Sequence, residues 1–424
     1  MTSSVKPDPS GQQAVRVSTD SFPLYGLLAL SAAIFISMAT EFLPGGLIPQ
    51  IAADFDRSPG EVGHLITVFA LTVIVTAAPV ALLTRRVQRK ALILVAFALI
   101  GLGNIATVLA PSFEFLLAAR VLGALAHGAF WSVVAAYPAH LVRPTQLGKA
   151  TALTAAGGSV AGVLGIPLGN ALGQAFGWRV SFGVLAALVV VTGMLMAWKL
   201  PSVAIRGAKP SSGTTSAVRR DPTLPAILIV CVLITLVVAA QNSFGTFNVV
   251  WLLDLAHVAP PAVPIMLFVG GVASAVGVAL TGILYNKFPI RLFLGSIAVL
   301  VGLFFTLPAV VGSEPSVWLL SGLMGAVFGG VPVMLQTRMM MSASPGMRNV
   351  AAALQTTAFN VGIGGGAFMG GVVIDHLSLD VLPFWAATLM FVALVTAGIW
   401  QIYIRRRLHN ASPQEKEADH GVYG

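Results

Sequence analysis

The run Arg120-Val-Leu-Gly-Ala-Leu-Ala-His127-Gly-Ala-Phe-Trp131 lies inside about 24 otherwise apolar residues, from Phe115 to Pro138. That length lets one α-helix cross a bilayer. A fixed positive charge within such a helix costs roughly 2.5–3.5 kcal/mol even on the milder insertion scales, so Arg120 is expected to face a cavity or a partner. His127 follows seven residues later, two turns on, and points the same way. The acid placed well inside an apolar run is Glu41, in Ser37-Met-Ala-Thr40-Glu41.

The rest of the chain has the same character. Of its 424 residues 57% are hydrophobic and 9% charged, and the mean hydropathy is +0.89, which no soluble fold of this size needs. The single cysteine, Cys231, excludes an internal disulfide and argues against a metal site. A net charge of +9 could point to nucleic acid, but the basic residues are dispersed among short loops, as membrane topology demands. The first apolar stretch, Leu24 to Leu43, is too long for a signal-peptide core and reads as a retained first span.

Apolar runs of spanning length fall at about 24–43, 62–84, 91–110, 115–138, 150–174, 181–200, 224–250, 262–285, 292–311, 317–341, 350–374 and 382–403. Each must be a helix, because a lipid-facing irregular backbone leaves polar groups unsatisfied. The fold class is therefore an all-α membrane protein with twelve transmembrane helices. Two boundaries are open: Leu47–Phe55 could prolong the first helix, and Gln241-Asn-Ser-Phe-Gly245 interrupts the seventh span. With the N-terminus inside, 21 of the 24 Lys and Arg are cytoplasmic; Arg57 and Arg179 fall outside and Arg120 lies within the membrane. That bias puts both termini in the cytoplasm of a multi-pass cell (inner) membrane protein.

The two halves repeat. A shift of 201 residues lays Pro144 on Pro345, Ala150 on Ala351, Leu153 on Leu354, Gly165 on Gly366 and Gly169 on Gly370. The expected organisation is a tail over 1–21, a six-helix bundle over 22–200, a flexible linker over 201–221, a second bundle over 222–404 and a tail over 405–424. Two such bundles can rock about a central cavity, as in secondary transporters.

Twelve spans in two repeated halves, with a basic loop after spans two and eight, resemble the major facilitator superfamily. Thr40-Glu41-Phe-Leu-Pro44-Gly-Gly-Leu-Ile-Pro49, Arg120-Val-Leu-Gly123 and Gly165-Ile-Pro167-Leu-Gly169 resemble its drug:proton antiporter group, and above all bacterial sugar- and nucleoside-efflux permeases. The resemblance covers about residues 22–404 and implies proton-coupled export of a small organic solute by a monomer, with the bilayer and protons as its other partners. Arg86, Arg89 and Lys90 match the superfamily's signature after span two, whereas Arg85 stands where that signature has an acid. The missing acid puts in doubt the charge latch that the signature supplies. These cations also suffice to set topology.

Depth along the helices puts Glu41 and Arg120 in the same outer third, about 25 Å along the first helix and roughly 8 Å into the fourth. If those helices are neighbours, as the resemblance implies, the two side chains can pair directly or through water. Burial and a nearby cation act on a carboxyl in opposite directions, so such an acid can take up a proton in one conformation and release it in another. A static ion pair is the rival reading. The repeat offset argues against it, mapping Glu41 to Asn242 and Arg120 to Ser321. His127 is a candidate proton relay or sugar contact, or else a packing residue; His64 opens the second span from outside.

Candidate cavity-lining groups are Ser37, Thr40, His64, Asn104, Trp131, Gln241, Asn242, Phe244, Asn248, Gln355 and Asn360. Gln241, Phe244 and Asn248 fall on one helical face. Amides and hydroxyls beside Phe244 and Trp131 suit an uncharged, hydroxyl-rich or moderately apolar solute, with helix–helix hydrogen bonding as the rival role for each. On the fifth span Gly158, Gly162, Gly165, Gly169 and Gly173 form one seam that lets another helix approach closely, and Pro167 is expected to bend it. No phosphate-binding loop and no His-Glu-x-x-His motif occurs, so no enzyme, metal or cofactor is expected.

Overall fold

The computed structural model describes residues 22–84, 87–201 and 221–410, without the side chains of Ala81 and of residues 403–410. Arg85, Arg86, the expected tail over 1–21, most of the expected linker and the end of the C-terminal tail lie outside the described residues. Among the described residues there are twelve spanning helices and no strand. They are α1 (Leu24–Phe55), α2 (Pro59–Val80), α3 (Arg89–Val108), α4 (Phe113–Val134), α5 (Pro144–Phe176) and α6 (Trp178–Lys199). The second set is α7 (Leu224–Leu255), α8 (Pro260–Leu284), α9 (Pro289–Val310), α10 (Glu314–Ser342), α11 (Arg348–His376) and α12 (Leu382–Ile402). Their outward faces carry Leu71, Val75, Val191, Ile283, Leu319 and Phe391 exposed. Helices that are apolar all round belong in lipid.

α1 packs on α2, α5 and α6, and α3 on α4 and α6; in the second bundle α7 packs on α11 and α12, α8 on α10, and α9 on α12. Across the bundles α2 meets α11, α5 meets α8 and α1 meets the end of α7. Hydrogen bonds join the bundles from Ser58, which caps α2, and Thr67 on α2 to Asp375 and Gly364 on α11. Both lie toward the face where α1 ends, called here the far face; the opposite, near face carries the start of α1.

The structure fixes the two open boundaries and adds a feature to the fifth span. The first span runs to Phe55, through Pro44 and Pro49, so Leu47–Phe55 does extend it. The break in the seventh span falls at Thr246 and Phe247, after the polar run, and a π-helical turn follows over Trp251–Leu255. In the fifth, a π-helical turn over Ala161–Gly165 precedes Pro167, whose missing N–H leaves no standard partner for the carbonyl of Val163.

The glycine seam of α5 packs on α1. A Cβ on Gly165 would sit 3.4 Å from that of Ala39, one on Gly169 2.0 Å from Leu43 Cδ1, and one on Gly173 2.4 Å from Leu47 Cδ2. Gly162 has nothing within 4 Å of such a Cβ and is not part of the seam. Gly157, which the spacing argument missed, is: its Cβ would lie 1.9 Å from the Ser31 carbonyl.

Candidate functional site

Pro44 sets the site. Within a continuous helix its missing N–H leaves the Thr40 carbonyl without its usual i+4 donor. Arg120 supplies one: Nη1 donates to the Thr40 carbonyl at 2.7 Å, Nη2 to the Glu41 carbonyl at 2.9 Å, and Nε to the Leu65 carbonyl of α2 at 3.4 Å. The guanidinium also lies over the Phe69 ring, 4.4 Å from its centroid. One side chain from α4 thereby ties α1 and α2 together where the backbone of α1 is weakest.

Glu41 and Arg120 are at the same depth, as expected, but their side chains make no direct ion pair. The guanidinium takes the backbone oxygen of Glu41, and the carboxylate faces the imidazole instead: His127 Nε2 is 3.5 Å from Glu41 Oε2. On its other side His127 Nδ1 is 2.9 Å from Ser37 Oγ. A carboxylate facing Nε2 favours the tautomer with its proton there, so the Ser37 hydroxyl donates to Nδ1. Glu41 and His127 are each 7% exposed and Arg120 2%. Phe69, edge-on to His127 at 5.2 Å, and Trp131 at 6.0 Å wall the imidazole.

The neutral candidates separate into several groups. Ser37, Thr40 and Asn104 are buried, and Asn104 Nδ2 donates to Thr40 Oγ1 at 3.1 Å, so they join helices and do not line an open cavity. Phe244 is also buried, packed edge-on against Trp251 and Phe304 inside the second bundle. The helix breaks between 245 and 248, so Asn248 no longer continues the face that Gln241 and Phe244 were expected to share with it. Asn242 and Asn360 bond back to the Val238 and Thr356 carbonyls of their own helices. His64 stacks on Phe368 of α11 at 6.0 Å, in the seam between bundles. Gln241, Gln355 and Trp131 keep a buried polar atom without a partner, and Asn248 is half-buried. Those four retain the chemistry expected of solute contacts.

Of the basic loop, Lys90 Nζ donates to the Ala197 carbonyl at 2.7 Å, closing the end of α6, and Arg89 borders a void of about 100 Å³ beside Tyr137 and His140. Both contacts lie within the first bundle. Missed by the sequence reading were Pro44, Phe69 and Asn170, whose Nδ2 donates to the Gly46 carbonyl at 2.5 Å. Pro44 was in view; the usable signal was its place four residues after Thr40. Also unforeseen is a cavity of about 880 Å³ at the far face between α1, α5 and α7, lined by Gln50, Asn170, Gln174 and the paired Asp54 and Arg179.

Twelve spanning helices in two bundles, with an ionisable cluster buried in one of them, are the build of a multi-pass membrane transporter. The chain belongs to the Major Facilitator Superfamily, which it matches over residues 30–367. It is 32% identical over 378 residues to a Helicobacter pylori protein named "probable sugar efflux transporter", an alignment covering 89% of this chain and 95% of that one. A Mannheimia succiniciproducens protein of the same name is 30% identical over 374 residues, covering 88% and 92%. In fold it is similar to a bacterial homolog of the human lysosomal transporter Spinster, solved inward-facing. The TM-scores are 0.69 unoccupied, covering 90% of this chain and 96% of that one, and 0.71 occupied, covering 93% and 100%, both at 16% identity.

Proposed function

We propose that this transporter exports a small uncharged organic solute in exchange for protons, by alternating access of two rocking bundles. The names of its relatives favour a sugar over a nucleoside or drug-like solute. The charge distribution favours cytoplasmic termini in a cell (inner) membrane, so that closure at the far face makes this the inward-facing state.

The observation that carries the coupling is the buried Glu41–His127 pair, 3.5 Å apart. With one shared proton the pair is neutral and Arg120 leaves the cluster at +1; without it the cluster is neutral. A change of one charge in a medium of low dielectric is a large perturbation. It biases the bundles' equilibrium to the extent that the two conformations bind the proton unequally. In this reading Glu41 carries the proton with His127, and Arg120 positions α1 around them. Gln241, Gln355, Trp131 and Asn248 contact the solute.

The test is flux in proteoliposomes. A pH gradient should drive uphill movement of a labelled neutral sugar, and Glu41→Gln should abolish that while leaving counterflow. Equal uphill transport by Glu41→Gln would reject the coupling role, and gradient-independent equilibration by the parent would mark a facilitator.

A further inference from the structure

At the far face α2 begins under the end of α11. Ser58 caps α2: its Oγ accepts from the Glu61 N–H at 3.0 Å, while the Glu61 carboxylate accepts from the Ser58 N–H at 2.9 Å. The same Ser58 hydroxyl donates to Asp375 Oδ2 at 2.9 Å, across the gap between bundles. Of the first amides of α2, Pro59 has none, Glu61 is taken by Ser58 Oγ and Val62 by the Ser58 carbonyl. The Asp375 carboxylate packs against the Cα of Gly60, where only a glycine leaves it room: a Cβ on Gly60 would fall 2.2 Å from Oδ2 and 2.6 Å from Oδ1. The acid therefore sits where a helix start favours negative charge. One turn earlier on α11, Gly371 lets the two backbones meet, since its Cβ would be 3.0 Å from the Gly60 carbonyl.

The neighbouring charges leave Asp375 to this contact. Arg57 is occupied by Glu61 and Glu114, at 3.2 and 2.8 Å, and no ion pair among the described residues includes Asp375. An exposed carboxylate with only such partners can exchange them for water at small loss. That property is what a reversible closure needs.

We propose that Asp375 is the residue that latches the far face, docking on the first turn of α2 and letting go each time that face opens. The inference rests on the alternating-access reading only in requiring that the far face open; its readout needs neither solute nor proton gradient.

The experiment uses full-length protein carrying Cys231→Ser and Thr67→Cys, a position on α2 covered by α11, with a bulky impermeant maleimide added from the far side. Asp375→Asn should raise the labelling rate about three- to tenfold. Ser58→Asp keeps a capping oxygen but sets a like charge against Asp375, and should raise labelling at least as much. Combining Ser58→Asp with Asp375→Asn should return the rate toward the parent's. Labelling within twofold of the parent in both single variants, or no recovery in the combination, overturns the latch. If Asp375→Asn does not accumulate, Ser58→Asp against the combined variant decides alone. Unchanged labelling leaves the export reading intact, and a loss of export leaves a labelling result intact.

Discussion

The two bundles are the same scaffold put to different use. In the first, the glycines of α5 bring it onto α1; in the second, Gly366 and Gly370 of α11 meet α7, where a Cβ would fall 2.5 Å from the Ala239 carbonyl and 2.4 Å from that of Ser243. Gly165 and Gly169 are their partners at the repeat offset, so duplication kept the packing. It did not keep the charge. At the same offset Glu41, Arg120 and His127 correspond to Asn242, Ser321 and Phe328, and Pro44 to Gly245. Where the first bundle has a proline and an arginine that serves its freed carbonyl, α1 continues for 32 residues. Where the second has neither, α7 breaks at Thr246 and resumes through a π turn. The proline and the arginine are thus one device, and the buried acid sits on it.

The sharpest way to break this comparison is Arg120→Leu. Losing the donor to a buried carbonyl costs about 1–3 kcal/mol, and the Glu41–His127 geometry goes with it. A fall of several degrees in melting temperature and loss of gradient-driven transport are expected. Pro44→Ala on top should recover much of the stability, because residue 44 again offers its N–H to Thr40, but not the transport; simple additivity of the two changes would refute the pairing.

Next in size is the contrast between seams. Gly370→Ala drives a methyl into backbone and should cost about 1–3 kcal/mol by overpacking. Gly169→Ala meets the end of the Leu43 side chain, which can turn aside, and should lose less than half of that. Gly162→Ala should cost nothing measurable. Thermal unfolding in detergent ranks the three, and equal losses would show that the bundles are not packed as described.

Smaller still is Ser37→Ala, which frees His127 Nδ1 and should cost about 1 kcal/mol. Its informative readout is transport: the pH dependence of exchange should move while that of a matched Ser243→Ala variant in α7 stays with the parent.

The smallest effect belongs to the second bundle's own acid at the near face. Burial alone would raise the Asp221 carboxyl, but hydrogen bonds from the Thr223 hydroxyl and N–H and from the Ser344 hydroxyl outweigh it and hold the group below its ordinary value. A depressed carboxyl stabilises above its unfolded pKa, and that stability disappears as pH falls through the folded one. The melting-temperature gap between parent and Asp221→Asn should therefore be present at neutral pH and close below about pH 4.

Sequence alone determined the twelve helices, the repeat and the residues that are expensive to bury, because hydropathy and the bilayer's intolerance of unpaired polar groups act on each span separately. It also placed Glu41 and Arg120 at one level, with His127 two turns deeper on the Arg120 face, since rise per residue is fixed. Which atoms would meet was decided only by tertiary structure. Arg120 reaches a carbonyl oxygen and not a carboxylate because a proline one turn away on another helix leaves that oxygen open, and Asn248 leaves the helical face of Gln241 because α7 breaks at Thr246 and Phe247 between them. Spacing along one helix says which way a side chain points; the hydrogen-bond needs of the helix it meets decide what it holds.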